Sequence, residues 1–276
     1  MNRVMIATLL FNRQPCTKAC LESLFNYTAE PFDLFLWDNG SEKPTQELLD
    51  KVEGLEFANR TTITVIRNGE NVGISDSLAA LQEMRQPGQH WMKLDNDVIV
   101  PKDPMWLTDM LDILESNDAG LQVIGYPPHP DGFFFTYEPF VRAKIGLAQP
   151  LTSNGMDEVF VYRSESILGW LFLASSDFMD EFKYPSNVKK YGEGCDAALS
   201  AFASTNLVPM AYIHPVSMAG SANSMLACKQ CAEADEYQEW KMQMLATASR
   251  AEGWDFRPST VGNDSTALKI RADLLI

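Results

Sequence analysis

The sequence predicts one α/β unit with a mainly parallel central sheet flanked by helices, and three observations predict it. Short apolar runs alternate with helical patterns at the spacing of βαβ units. Clusters rich in Asp, Asn and Gly follow those runs, where an open parallel sheet gathers its ligands. The chain has 276 residues, 46% of them hydrophobic. A chain of that length buries roughly three quarters of its extended surface without a disulfide or structural metal.

Arg3 to Leu10 reads as a first strand, followed by a turn at Asn12 to Pro15 and a helix from Thr17 to Asn26. Phe32 to Trp37 is a second strand, closed by the turn signal Asp38-Asn39-Gly40-Ser41. A short helix from Gln46 to Val52, a third strand from Thr61 to Ile66 and a helix from Ile74 to Met84 continue the alternation. His90 to Leu94 is a fourth strand that runs directly into Asp95-Asn96-Asp97.

The pattern changes after Pro101. Trp106 to Glu115 is an amphipathic helix, Leu121 to Tyr126 a strand, and 127–132 a Pro-rich loop. Glu158 to Arg163 reads as a strand, and Gly169 to Leu173 precedes a helix beginning at Ser175 or Ser176. A helix from Asp196 to Ala203 and a strand from Leu207 to Ile213 follow. Helical patterns then run from about Ser224 to Ala251 and from Thr266 to Leu274. With no repeat and no low-complexity linker, one compact unit is expected.

Twenty-two Lys and Arg against 37 Asp and Glu give a net charge of −15. Binding a duplex through its phosphates relies on clustered cations, so the balance argues against it, although a local basic groove stays open. Most of the acids are expected to form a solvated face. The five cysteines, Cys16, Cys20, Cys195, Cys228 and Cys231, are odd in number and sparse, which suggests a reducing compartment. Val4 to Phe11 meets Asn12-Arg13-Gln14-Pro15 with no small-residue cleavage site and is read as a buried strand. The apolar stretch from Ile167 to Phe178 is too short to span a bilayer. A cytoplasmic protein without a transmembrane segment is expected. Cys228 and Cys231 have CxxC spacing, but they fall inside a helical pattern and lack a second pair, so zinc and redox chemistry are disfavoured.

Carboxylates at Asp95 and Asp97 leave the end of a buried strand two residues apart. Hard oxygen donors of this kind suit Mg2+ or Mn2+ shared with substrate phosphates, and the competing reading is a helix cap or turn before Pro101. Asp38 is able to accept an imide hydrogen or bind ribose, or else to close its turn. Arg67 offers a guanidinium to phosphate, Asn71 an amide to sugar or base, and Gly73 a close backbone approach.

Taken in order, Thr8 to Arg13, Asp38-Asn39-Gly40-Ser41, Arg67-Asn68 with Asn71-Val72-Gly73, and Asp95-Asn96-Asp97 resemble the nucleotide-sugar half of the family 2 glycosyltransferases, which have the GT-A fold. The resemblance covers about residues 1–101, weakens to about 220 and ends there. It implies a nucleotide-sugar-binding half at 1–101 and an acceptor-binding and catalytic half at 102–223, and the helical patterns beyond it add an extension at 224–276. It also implies that Thr8 and Asp38 contact the nucleoside with Asn12 and Arg13 nearby, and that Asn71 and Gly73 line the nucleotide cleft. Asp95 would face ribose or donor sugar, and Asp97 the metal on the diphosphate. His214 would complete that metal's ligands; without the resemblance it reads as a packed strand-end histidine.

The family places an acidic pair beside its acceptor helix. Here the matching run is Tyr191-Gly192-Glu193-Gly194-Cys195-Asp196, with Gly194 where the second acid of the pair stands. Asp196 and Glu193 remain as bases for an inverting transfer, Asp196 favoured because it begins a helix, where it also reads as an N-cap. Gly169 and Trp170 are expected on the acceptor side, with Trp170 either under a sugar or in the core. The aromatic residues Phe133, Phe134, Phe135 and Tyr137 either cover the acceptor or form a homo-oligomer surface.

The activity implied is metal-dependent transfer of a sugar from a nucleoside diphosphate, UDP favoured, to an acceptor hydroxyl of a saccharide or small molecule. A nucleotidyltransferase, a DNA-base-directed glycosyltransferase and an inactive sugar-binding or assembly protein are the alternatives. Thr8-Leu9-Leu10-Phe11-Asn12-Arg13 lacks the glycines a triphosphate loop needs, and the net charge lends a nucleic-acid acceptor no support.

Overall fold

The computed structural model describes residues 3–58, 61–116, 120–126, 145–151, 159–164, 167, 169–186, 195–213 and 220–221. The donor-side alternation appears as β1 (Val4–Leu10), α1 (Gln14–Tyr27), β2 (Phe32–Asp38), α2 (Lys43–Glu53), β3 (Thr62–Arg67), α3 (Ile74–Glu83) and β4 (Trp91–Leu94). The next elements are β5 (Val98–Ile99), α4 (Trp106–Ser116), β6 (Val123–Gly125), β7 (Ile145–Leu151) and β8 (Val159–Ser164). They are followed by β9 (Leu171–Ala174), α5 (Ser176–Glu181), α6 (Cys195–Thr205), β10 (Met210–Ile213) and β11 (Gly220–Ser221).

The main sheet has the order β3-β2-β1-β4-β9-β6-β10-β8-β7, and β5 pairs separately with β11. Strands β3, β2, β1 and β4 are parallel neighbours. β9 runs antiparallel between β4 and β6, and β8 runs antiparallel between β10 and β7. The sheet is thus mainly parallel, as expected, with reversed strands confined to the half beyond β4.

Both faces of the sheet are covered, which explains why the early strands read as continuous apolar runs and not as alternating ones. Val4, Ile6, Leu34, Leu36 and Met92 pack on one face with Leu24, Leu48, Trp106 and Met110 of α1, α2 and α4. Met5, Ala7, Trp91 and Phe172 pack on the other with Leu78, Leu81, Phe178, Leu199 and Ala203 of α3, α5 and α6. Trp106 also donates its indole N–H to Thr28 Oγ1 at 3.0 Å, which locks α4 to the end of α1.

Local sequence sets the helix ends. α1 starts at Gln14, three residues before the predicted Thr17, because Pro15 fits the first helical turn, where a missing N–H costs nothing. α2 likewise begins at Lys43 with Pro44 in its first turn, and it ends at Gly54 after the dipole-compatible Lys51. Ser175 caps α5 by accepting a hydrogen bond from the Phe178 N–H at 3.1 Å. The unpredicted β7 contains Gly146 and Pro150, both poor strand residues, and it survives as the last strand of the order with a register shift between Ile145 and Ala148. The predicted helices after Ser224 and the 224–276 extension lie outside the described residues, as do Cys228, Cys231 and the aromatic loop at 127–137.

Candidate functional site

Two connected groups of polar residues occupy the rim beyond the carboxyl ends of β1, β2, β3 and β4. The first is built on the strand-end run Asp95-Asn96-Asp97. Asn96, the middle residue, is buried and donates to Thr17 Oγ1 of α1 at 3.0 Å. That anchor ties the strand end to α1, while the acids on either side of it pair with cations.

Asp95 follows β4, and its backbone N–H donates to the Trp170 carbonyl at 2.8 Å. Its carboxylate is held by Lys93 Nζ at 2.5 Å. Lys93 is a buried cation on β4, between Ala7 of β1 and Phe172 of β9. Its ammonium also donates to the Gly169 carbonyl. Asp97 is held from the other side, with Arg13 Nη2 at 2.9 Å from Asp97 Oδ2 and the two side chains only 10% and 15% exposed.

Arg13 reaches Asp97 through an uncommon backbone. Asn12 and Arg13 are consecutive non-glycine residues in the left-handed region, at φ 54° and 57°. Such residues cost energy and persist where their surroundings fix them. Here the Asn12 N–H donates to Ser41 Oγ at 2.8 Å, and Asn12 Oδ1 accepts from the Glu42 N–H at 2.7 Å. The Arg13 carbonyl accepts from the N–H groups of Cys16 and Thr17, both at 3.0 Å, which opens α1.

The acceptor side joins through Gly169. While its carbonyl takes the Lys93 ammonium, its N–H donates to Asp196 Oδ2 at 3.3 Å. Asp196 lies in the first turn of α6, which starts one residue before it at Cys195. It is therefore not the N-cap. Three carboxylates and two cations share this rim. Enclosure raises the Asp95 carboxyl above its ordinary range, Lys93 opposes that rise, and Asp97 and Asp196 add to it.

The second group surrounds Asp38. This residue is fully buried; Oδ1 accepts from the Ser41 N–H at 3.1 Å, and Oδ2 accepts from the Gln46 side-chain amide. Gln46 Oε1 in turn accepts from Arg67 Nε at 3.2 Å. Arg67 was expected to point at phosphate, but its guanidinium lies on α2, pairing with Asp50 at 2.7 Å and Glu53 at 2.9 Å. Two acids one helical turn apart on the neighbouring helix hold it there, and Gln46 links it to Asp38.

Asn39 stitches the loops together. Its amide donates to Asn71 Oδ1 at 2.9 Å and to the Gly73 carbonyl at 3.4 Å, and its Oδ1 accepts from the Val72 N–H at 3.0 Å. Asn71 Oδ1 also accepts from the Gly73 N–H at 3.0 Å, and Gly73 takes φ 88°, which favours glycine, before α3. Gly40, at φ 81°, presses on the backbone of Glu70, where a Cβ would come within 2.9 Å of Cα. Thr8 is fully buried on β1, and its Oγ1 has no hydrogen-bond partner among the described residues.

Arg13, Asp95, Asp97, Gly169, Trp170 and Asp196 are thus brought together, as are Asn12, Asp38, Asn71 and Gly73. Trp170 donates its indole N–H to the Tyr126 carbonyl at 2.8 Å and packs partly buried against the core. Glu193 and His214 lie outside the described residues. Among the described residues no group of three His, Cys, Asp or Glu side chains is arranged to hold a metal ion, and no helix is long and apolar enough to cross a membrane. Lys93, Gln46 and Asn39 were not singled out from sequence. Lys93 carried a readable signal, since a lone cation in an apolar strand two residues before Asp95 must share its face.

The profile of the family described as glycosyl transferase family 2 matches residues 5–164. No curated protein sequence matches. Among solved structures, the chain is similar to a mannosyltransferase from Pyrobaculum calidifontis in complex with GDP-Man and Mn2+, with 14% identity and a TM-score of 0.58. That match covers 90% of this chain and 64% of the mannosyltransferase, so the chain spans less than two thirds of it. It is also similar to glucosyl-3-phosphoglycerate synthase from Mycobacterium tuberculosis in complex with Mn2+, UDP and phosphoglyceric acid, with 15% identity and a TM-score of 0.55. Here 92% of this chain and 80% of the synthase are covered.

Proposed function

The chain belongs to glycosyl transferase family 2 and has the GT-A type of α/β fold, and on that premise we propose that it transfers a sugar from a nucleoside diphosphate to an acceptor hydroxyl. The reading is metal-dependent, UDP-linked and inverting, with a saccharide or small molecule as acceptor. The observation that carries it is the convergence of Asp95 and Asp97 with Asp196 on one rim, bridged by Lys93 and Gly169.

Asp97 is a hard oxygen donor that fits Mn2+ or Mg2+, and His214 is the second protein ligand of this reading. A divalent cation there would neutralise the charge that develops on the departing diphosphate. Asp95 is turned toward ribose or donor sugar, with Lys93 limiting its repulsion of the phosphates. Asp38, Thr8, Asn71 and Gly73 form the nucleoside end, and the UDP assignment rests on Asp38, fully buried in this structure, exchanging its Gln46 amide for the uracil imide. Asn12 and Gln46 hold this end in shape, and Arg67 acts through Gln46.

For transfer, the acceptor hydroxyl gives its proton to the Asp196 carboxylate as its oxygen forms a bond to the anomeric carbon. The bond from that carbon to the diphosphate oxygen breaks on the opposite face, and the electron pair leaves with the nucleoside diphosphate. Asp196 is preferred over Glu193 because the Gly169 N–H holds Oδ2 and α6 fixes its backbone. Cys16 and Cys20, both buried and neither in a disulfide, agree with work in the cytoplasm.

The test is a binding and hydrolysis screen across nucleotide sugars, with and without Mn2+ or Mg2+. Binding of at least one donor with metal is expected; if none binds, the reading fails. Asp97→Ala should then abolish metal-dependent binding, and Asp196→Asn should keep donor binding while losing transfer. Product anomeric configuration reads out inversion.

A further inference from the structure

The two cations of the rim are mounted differently. Lys93 sits within β4, flanked by β1 and β9, and its ammonium serves both Asp95 and the Gly169 carbonyl. Its task is internal to the scaffold. The Arg13 backbone is fixed by the opening of α1 and by its neighbour Asn12, which Ser41 and Glu42 hold, and its guanidinium also lies 4.0 Å from Cys16 Sγ. Its long side chain extends from that anchor across the β1 and β4 ends to Asp97 Oδ2 at 2.9 Å.

A divalent cation on that oxygen would stand within a few ångströms of the guanidinium, and the mutual repulsion is poorly screened because both side chains are largely buried. Arg13 and the cation therefore compete for one carboxylate. The guanidinium fork suits phosphate as well as it suits carboxylate, so a diphosphate arriving at the rim offers Arg13 an equivalent partner.

We propose that Arg13 is the built-in counter-ion of Asp97 and releases it to a divalent cation when a nucleoside diphosphate takes over the guanidinium, so that cation and nucleotide bind cooperatively. This rests on the donor site described under the proposed function. It also assigns Arg13 to the reacting phosphates and the cation, and not to the nucleoside. By linkage, whatever factor the nucleotide adds to cation affinity, the cation adds to nucleotide affinity.

The test is titration of the full chain with Mn2+, followed by electron paramagnetic resonance of the free ion, alone and with UDP or inorganic pyrophosphate. Asp97→Ala identifies the site, and circular dichroism checks that each variant is folded. Without nucleotide, Arg13→Gln is expected to bind Mn2+ about tenfold more tightly than wild type, with Arg13→Lys between them and a smaller gain on adding UDP. A merely structural Arg13 would leave nucleotide-free Mn2+ affinity unchanged or weaker on substitution, and either result overturns the proposal. So does absence of detectable Mn2+ binding in wild type and Arg13→Gln alike. Should UDP fail to bind while Arg13→Gln still tightens Mn2+, the donor assignment is at fault and the competition at Asp97 stands; pyrophosphate then reports the coupling. Equal enhancement by pyrophosphate in wild type and Arg13→Gln would overturn the handover.

Discussion

Gly169 and Asp196 are matched in shape as well as in hydrogen bonding: a Cβ on Gly169 would lie 3.1 Å from Asp196 Cβ and 3.4 Å from its Oδ2. The carboxylate proposed as base rests against the one residue type that leaves it room. Gly169→Ala must push Asp196 aside by a few tenths of an ångström. Small misplacements of a reacting group are costly, so the turnover number should fall about tenfold with donor affinity unchanged. Steady-state kinetics beside donor titration checks this, and equal loss in both would show that the site as a whole has moved.

Lys93 links the donor and acceptor sides, and its removal strands Asp95 among other acids. Lys93→Met should cost about 2 kcal/mol of stability, less than a fully buried pair would because the Asp95 side chain is 43% exposed. Chemical denaturation of a double-mutant cycle with Asp95→Asn isolates the pair. In the Asp95→Asn background the loss should shrink by more than half.

Asn39 supplies both a donor and an acceptor to the loop that holds Asn71, Val72 and Gly73. Asn39→Ala should destabilise by about 2 kcal/mol, since three hydrogen bonds are lost and the Val72 N–H is left without its acceptor, although Asn71 Oδ1 and the Gly73 carbonyl keep the Gly73 N–H and Ser77 as donors. Asn39→Asp should be worse despite its shape, because a carboxylate oxygen would face the Asn71 Oδ1 and Gly73 carbonyl oxygens. Urea midpoints of the two variants give the order, and donor affinity should follow it.

Cys20 makes stability depend on alkaline pH. It is fully buried on α1, and burial first, then the charges of Asp97 and Asp95, raises its thiol far above the ordinary range. The unfolded thiol loses its proton near about pH 8.5, while the folded one keeps it. Its contribution is therefore complete below that value and declines as pH rises, by about 1.4 kcal/mol per pH unit. Cys20→Ala should flatten the fall in stability between about pH 8.5 and 10 relative to wild type. Urea unfolding at several pH values measures the slope, and equal slopes would exclude Cys20 as its source.

Strand ends were readable because an apolar run that stops abruptly at Asp38 or Asp95 is a one-dimensional signal. Side-chain partners were not, since they depend on which helix packs beside which strand. Arg67 illustrates this: in sequence it ends β3 beside Asn68, yet its partners Asp50 and Glu53 sit on α2, aligned only after packing. Asn96 carried no reading of its own in the sequence and is the anchor to α1. The pairing of Arg13 with Asp97 depends on the left-handed turn at Asn12 and Arg13, which is invisible to helix patterns. The start of α1 was set too late for the same reason.

Because β9 opposes β4, the chain leaves the rim at Asp95 and re-enters it at Gly169, with Asp95 N–H to the Trp170 carbonyl and Lys93 to the Gly169 carbonyl closing the base of that excursion. The segment between them carries α4 and the sheet strands β6, β7 and β8, so its two ends are stapled together beside the carboxylates while its middle extends the main sheet. The spacing of Asp95, Lys93 and Gly169 is therefore set by the pairing of β4 with β9 and not by the length of chain between them.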